Sequence, residues 1–378
     1  MRMLNRSIYL DNNATTPVHE LVLEKMLPFF STNFGNASSM HFAGWQASEA
    51  VKISRENLAI AIEAEPDEIY FTSGATESIN LAIRGVAEAY STKGKHIVSF
   101  TTEHRAVLDT LAVLQLKGIE ITLLEVDRNG LPDLKQLEEA IRNDTVLVVG
   151  IFANNETGVI FPIQQMVEIT RQKGALFFCD ATQAFGKIPV SVRDLKVDIL
   201  AISAHKVYGP KGVGAIYLKR KNPRVSIIPQ LTGGGHEKGK RSGTLNVPGI
   251  VGLGECANLS STFIEIYQNH ILTLRDYFET EMLRFKNIKV NAGVTKRLPN
   301  TTNFIVKNRK ADLLLASIPQ LACSTGSACS AVLPEPSHVL KAMGIKDEDA
   351  YSAVRISLGI TTTKEDIDLA LELFKSKL

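Results

Sequence analysis

The 378-residue sequence has no uninterrupted apolar run long enough to span a bilayer, so no membrane-crossing helix is expected. Its first residues, Met1-Arg-Met-Leu-Asn-Arg6, lead straight into Ile8-Tyr-Leu10 without the apolar core of a signal peptide. A marked excess of either charge is also missing, with 42 Lys and Arg against 40 Asp and Glu. A formal net charge of +2 gives no electrostatic reason to expect nucleic acid or a membrane surface as a partner. There are only four cysteines (Cys179, Cys256, Cys323 and Cys329), and no Cys-x-x-Cys pair, which is no disulfide framework for a chain of this size. A reducing cytoplasm is the expected location, and it leaves thiols free for chemistry. The eight histidines show no His-Glu-x-x-His spacing, which argues against a zinc enzyme. Gly234-Gly-His-Glu-Lys-Gly239-Lys240-Arg241 nearly spells a nucleotide-binding P-loop. However, Arg241 stands where the magnesium-holding Ser or Thr is needed and no helical pattern follows, so an ATPase is not expected.

What is present is the balance of an ordinary globular chain, 44% apolar and 22% charged, long enough for two domains. Val18–Phe30 and Ser48–Ala64 read as helices, joined through Gly35-Asn-Ala-Ser-Ser-Met-His41, where His41 reads as a loop residue without a role. From Ile69 onward strands and helices alternate. Strands are expected at 69–71, 96–100, 121–126, 146–152 and 176–179, with helices at 78–90, 107–116, 133–141 and 163–173 between them. That alternation predicts βαβ crossovers and a mostly parallel sheet covered on both faces, with ligands beyond the carboxyl ends of the strands.

The residues after those strands are polar and reactive. After Phe71, Thr72-Ser-Gly74-Ala75-Thr76-Glu77 opens a helix whose free N–H groups and Thr76 hydroxyl form a phosphate cradle. His104 follows Phe100, Asn155 follows Phe152, and Asp180 and Gln183 follow Cys179. Ser203, His205 and Lys206 follow the apolar run Ile199–Ile202, and Gly209-Pro-Lys-Gly212 leads into a second run, Ala215–Leu218. A lysine held where two strands meet a turn is screened from water, which lowers its ammonium pKa and makes it a candidate Schiff-base lysine.

Near Val251 the pattern changes. Leu253–Phe285 reads as long and helical, followed by shorter strands near Ile288 and at 303–306, a short helix at Ser337–Met343, and Arg355 within the run Ala353–Leu358. A large domain over 15–252 and a small one from 1–14 with 253–378 are expected. Within the small one, Cys323 reads as a small buried hydrophobe. Cys329 lies in a loop of Ala, Ser and Gly bounded by prolines, with nothing apolar enough to bury it.

A lysine aldimine, a phosphate cradle at a helix N-terminus and an Asp after a strand are the parts that hold pyridoxal 5'-phosphate. The sequence resembles the cysteine desulfurases of the nitrogen-fixation and iron–sulfur-cluster type, class-V aminotransferase-like enzymes. The resemblance runs from Tyr9-Leu-Asp-Asn-Asn-Ala-Thr-Thr-Pro17 to Arg355-Ile-Ser-Leu-Gly359, through Asn154-Asn-Glu-Thr-Gly158, Ser203-Ala-His-Lys206, Arg241-Ser-Gly-Thr244, Arg297-Leu-Pro-Asn-Thr301 and Gly326-Ser-Ala-Cys329.

The resemblance implies an α/β protein of the aspartate-aminotransferase fold (type I), with a smaller C-terminal α+β domain, acting as a homodimer. It also implies roles. Lys206 carries the cofactor and moves the Cα proton, Asp180 pairs with the pyridine N–H, and Gln183 bonds the phenolic oxygen. His104 stacks on the ring and shuttles protons. Gly74, Ala75, Thr76, Ser203 and His205 hold the phosphate, helped by Thr244 of the partner subunit. Arg355 clamps the carboxylate of L-cysteine, with Asn155 nearby, and Cys329 is the nucleophile that takes the sulfur as a persulfide for an acceptor protein, an iron–sulfur scaffold or another. A selenocysteine lyase or another class-V aminotransferase is the alternative. His236 stands where the family usually has Gln, and Ala37 where it usually has Pro. Members that feed the scaffold typically carry a longer tail beyond the position of Leu378, which leaves the acceptor open.

Overall fold

A computed structural model describes residues 7–325 and 336–378. In chain order its strands begin with β1 (Ile8–Tyr9), β2 (Ile69–Thr72), β3 (His96–Phe100), β4 (Glu120–Leu124), β5 (Thr145–Ile151) and β6 (Leu176–Asp180). They continue with β7 (Ile199–Ser203), β8 (Gly214–Leu218), β9 (Ile288–Val290), β10 (Thr301–Val306), β11 (Leu321–Ala322), β12 (Ser324–Thr325) and β13 (Ala353–Ser357). Seven of them form one sheet in the order β2-β8-β7-β6-β5-β3-β4. From β7 to β4 all neighbours are parallel, and only β8, paired with both β7 and β2, is antiparallel.

Side chains along these strands alternate between two cores, as a sheet covered on both faces requires. In β6, Phe177 and Cys179 join one core while Leu176 and Phe178 join the other. Helices Ala75–Ala89, Arg105–Gln115, Leu134–Ala140 and Ile163–Gln172 make the crossovers. The expected α/β alternation is therefore present, and the functional stretches fall at the carboxyl ends of the strands.

A four-stranded antiparallel sheet, β12-β13-β10-β9, forms beyond the large one. The chain's beginning is stitched to it. β1 pairs in parallel with β11, Asp11 bridges to Ser357, and the chain then passes into the turn at Asn12–Ala14.

Three local expectations are corrected. The helix read as Val18–Phe30 is two, Glu20–Met26 and Pro28–Ser31, because Pro28 lacks an N–H and opens a new first turn. The second helix starts at Phe42 rather than Ser48, and His41, expected to be idle, is its cap: Nδ1 accepts the Gly44 N–H at 3.4 Å. The long helix of 253–285 is a series, Val247–Asn258, Ser260–Ile266 and Leu272–Met282. A π-turn at Tyr267–Ile271 joins the last two, where the Tyr267 hydroxyl meets Tyr208 Oη at 2.7 Å.

Candidate active site

A cavity of about 500 Å³ opens at the carboxyl ends of β2, β3, β5, β6 and β7. The Gly74 turn forms one wall. Gly74 caps Ala75–Ala89 with φ of +148°, a conformation L side chains rarely adopt, and a Cβ there would lie 3.8 Å from Ser203 Oγ. Across from it, a Cβ on Gly214 would lie 2.7 Å from Gly74 Cα, so β8 packs directly beneath the turn. The glycine-capped N-terminus of a 15-residue helix thus lies at the cavity wall, and Ala75, Thr76, Ser203 and His205 line the same wall.

His205 bonds Thr15 Oγ1 through Nδ1 at 3.2 Å. Burial, helped by the charges of Lys206, Lys211 and Lys187, pulls its pKa down to about 4, so it is neutral at pH 7. Lys206 follows in the same tight turn, and its Nζ donates to the carbonyls of Asn13 and Ala14 at 2.7 and 2.6 Å. These acceptors belong to the N-terminal segment, so the lysine is held by chain 192 and 193 residues earlier in the sequence.

Asp180 closes β6, is 2% exposed, and accepts the Thr182 N–H on Oδ1 at 3.0 Å. Thr182 Oγ1 lines the cavity, is buried, and has no hydrogen-bond partner among the described residues. His104 caps Arg105–Gln115, with Nδ1 accepting the Ala106 N–H at 3.1 Å, which places a neutral ring's proton on Nε2. Burial is the main cause lowering its pKa, with Lys206 adding to it and Asp180 opposing. Gln183 donates from Nε2 to the Asn13 carbonyl at 2.9 Å.

Arg355, on β13, closes the far side. Nη1 donates to the Asn155 carbonyl at 3.1 Å, and Nη2 to Asp11 Oδ1 and Ser324 Oγ at 2.7 and 3.1 Å. Its Nε is buried without a partner among the described residues. An unpaired buried guanidinium N–H beside a cavity suits a carboxylate.

Eleven of the residues singled out in the sequence line this one cavity: Gly74 through Thr76, His104, Asn155, Asp180, Gln183, Ser203, His205, Lys206 and Arg355. Thr244 does not. It is exposed, and the Arg241 that opens its loop grips Glu77 through two hydrogen bonds of 2.7 and 3.1 Å. Cys329 lies outside the described residues. Cys323 is largely buried, and burial pushes its thiol up to about 12.

The sequence reading missed Asn13, Asp11, Glu156 and Lys187. Glu156 is buried beneath Asn155, takes a short hydrogen bond from the Ser337 hydroxyl, and is raised by burial to about 7. Both acidic residues stand in blocks that carry the resemblance, Tyr9–Pro17 and Asn154–Gly158, so a signal was present. For Lys187 the sequence offers only its place four residues after Gln183.

The donor set fits a phosphorylated pyridine aldehyde. It pairs a glycine-capped helix N-terminus for the phosphate with a buried carboxylate for the ring nitrogen and a lysine amine for the aldehyde. The unpaired Thr182 hydroxyl and Arg355 N–H add donors still to be satisfied.

Residues 8–370 match the aminotransferase class-V family. The cysteine desulfurase IscS of Neisseria meningitidis serogroup C / serotype 2a is 48% identical over 372 residues, covering 98% of this chain and 92% of that protein. The cysteine desulfurase IscS of Anaeromyxobacter sp. is 47% identical over 373 residues, with 98% and 92% covered. Among solved structures, a NifS-like protein superposes with a TM-score of 0.91 at 36% identity, covering 98% of this chain and 99% of that one. SspA in complex with cysteine gives 0.84 at 36%, covering 94% and 100%. The chain belongs to the class-V aminotransferase family, among its cysteine desulfurases.

Proposed function

We propose that this protein binds pyridoxal 5'-phosphate at Lys206 and converts L-cysteine to L-alanine, passing the sulfur to Cys329 as a persulfide. The observation that carries the reading is one cavity bringing Lys206, Asp180, His104, Gln183 and Arg355 together. Bound there, the cofactor supplies an electron sink for negative charge at the substrate Cα. The chain's own residues do the rest. Asp180 accepts a proton-bearing ring nitrogen, Gln183 serves the phenolic oxygen, and the Gly74–Thr76 turn with Ser203 and His205 receives the phosphate. Arg355, with Asn155, orients the substrate carboxylate, and Lys206 Nζ takes and returns the Cα proton. His104 Nε2 faces the reacting atoms as a second proton carrier. The Cys329 thiolate attacks the substrate sulfur: the S–S bond forms as the Cβ–S bond breaks, and a proton delivered to Cβ completes alanine.

The large domain is residues 15–252 and the small one 1–14 with 253–378, a division supported by the two main sheets. A homodimer is supported by the exposed Phe30, Phe34, Met40, Phe42 and Trp45, 61–93% accessible within sixteen residues of chain. Thr244, outside its own cavity, then serves the partner's phosphate site. The free thiols Cys179, Cys256 and Cys323 suit a reducing cytoplasm, and among the described residues no helix is long and apolar enough to cross a membrane. The sulfur acceptor is an iron–sulfur scaffold or another acceptor protein.

The test is an assay of sulfide and alanine from L-cysteine beside L-selenocysteine, with borohydride reduction of the bound cofactor. The expected result is equal sulfide and alanine under reductant, and a reduced adduct mapped to Lys206 that is lost in Lys206→Ala. Turnover of selenocysteine alone would overturn the desulfurase reading, and an adduct at another lysine would overturn the assignment of Lys206.

A further inference from the structure

Lys187 is 0% exposed and, among the described residues, meets no carboxylate. Its Nζ donates to Gln183 Oε1 at 2.6 Å and to Asn13 Oδ1 at 3.1 Å, two neutral amide oxygens. Buried lysines are rare unless paired with an acid, so a residue of this kind under a binding cavity calls for a function. Burial lowers its pKa far below the ordinary range, with the positive charges of Lys206 and Arg355 adding to the effect. The geometry stands in either protonation state, because even the neutral amine keeps two N–H groups for its two acceptors.

Its acceptors are the two residues that shape the cavity floor. Gln183 lines the cavity, and its amide could present either a carbonyl or an NH2 group. Lys187 Nζ donates to Oε1, and as an ammonium it has no lone pair to accept an N–H instead, which ties Oε1 to the floor. One Nε2 hydrogen lies on the Asn13 carbonyl, and the second is the donor left for a ligand. Asn13 is fixed in the same way. Its Oδ1 accepts from Lys187 and Asn300, its Nδ2 donates to Asn155 O and Thr301 Oγ1, and its carbonyl holds Lys206.

We infer that Lys187 is a positioning residue that locks the Gln183 amide with its NH2 group toward the cavity, so that Gln183 donates to the phenolic oxygen of the bound cofactor. This rests on the proposed function, and it adds the reason Gln183 acts as a donor rather than an acceptor. Lys187 itself touches neither cofactor nor substrate. An amide turned the other way would set its carbonyl against an anionic phenolic oxygen and against the Asn13 carbonyl, so losing Lys187 removes one of two contacts that forbid the flip.

The test titrates cofactor-free protein with pyridoxal phosphate and with 3-deoxypyridoxal phosphate, which lacks the phenolic oxygen. Lys187→Met is expected to weaken pyridoxal phosphate by about tenfold, the scale of one hydrogen bond to a charged acceptor, with the 3-deoxy analogue changed less than about twofold. Gln183→Leu should show the same selective loss, and the double variant should be no worse than Gln183→Leu alone. Lys187→Gln, which keeps an N–H donor without the charge, should retain near-normal selectivity, and it serves if Lys187→Met fails to fold. Equal weakening of both ligands, additive losses in the double variant, or a selective loss in Lys187→Gln as large as that of Gln183→Leu would overturn the inference. Wild-type protein that binds neither ligand would instead overturn the proposed function.

Discussion

Asp11 Oδ1 accepts a hydrogen bond from Arg355 Nη2 at 2.7 Å, joining the first turn of the chain to its last strand beside the substrate end of the cavity. Both side chains are mostly buried, 18% and 5% exposed, so the pair is not a screened surface contact. The guanidinium therefore already has an acid partner when a second carboxylate arrives.

Asp11→Asn keeps an oxygen acceptor but removes the charge that repels an incoming carboxylate. We expect the KM for L-cysteine to fall by about two- to tenfold with kcat little changed. Asp11→Ala should instead lower the melting temperature, because it leaves a buried cation short of a partner. An unchanged KM in Asp11→Asn would mean the pair is structural only.

Cys323 and Cys329 separate cleanly as predictions. Burial holds the Cys323 thiol near 12, so it is protonated at neutral pH, and Cys323→Ser should leave turnover within about twofold. Cys329→Ser should retain cofactor and L-cysteine binding, seen in the visible spectrum, but lose persulfide and sulfide formation by about a hundredfold or more. Mass spectrometry of the persulfide checks both.

Sharing of the phosphate site across a dimer is checked by mixing Thr244→Ala and Lys206→Ala subunits. Each homodimer lacks a complete site, whereas a hybrid has one. Random exchange should restore about a quarter of wild-type turnover, from half the dimers with half their sites. Native mass spectrometry that shows hybrids without recovered activity would refute shared sites.

Glu156 sets a pH dependence of stability. Its carboxyl ionises near 4.5 when solvated and near 7 in the fold. Below 4.5 both states hold the proton and there is no net effect. Between 4.5 and 7 the unfolded chain loses the proton first, so stability falls as pH rises, and above 7 the full cost remains. At about 1.4 kcal/mol per pH unit that cost is at most about 3.5 kcal/mol. Glu156→Gln should therefore be more stable than wild type at pH 8 and nearly equal to it at pH 4.5, read by chemical denaturation. His205 acts in the opposite sense over a similar range, since its lowered pKa removes stability as pH falls from 6.5 toward 4.

The set lining the cavity was legible because the fold writes it locally. Gly74, His104 and Lys206 follow strands, and Asp180 ends one, of a sheet whose alternation is plain in the sequence, and such ends are where ligands sit. Asn13 and Lys187 were not legible, because what makes them matter is contact between distant segments: Lys187 reaches Asn13 across 174 residues. The start of the helix at Phe42 was missed for a different reason. Phe42 and Trp45 are 73% and 64% exposed, so the apolar positions of its first turns point away from the core that the periodic pattern traces. His236, a departure from the family pattern, accepts the Gly243 N–H at 3.3 Å and lies away from the cavity, in the loop that leads to Thr244.

Asn13 also bonds Thr301, and its N–H donates to Ser357 Oγ, 288 and 344 residues further on. A chain leaving the ribosome presents Asn13 more than three hundred residues before β13 is complete, Ser357 being 344 residues further on. Lys206 is therefore translated long before the carbonyls that hold it can be locked in place. The floor of the cavity is set only once β13 has emerged, so cofactor capture follows synthesis rather than accompanying it, and nascent chains arrested before β13 should hold pyridoxal phosphate weakly, with Lys206 already in the sequence.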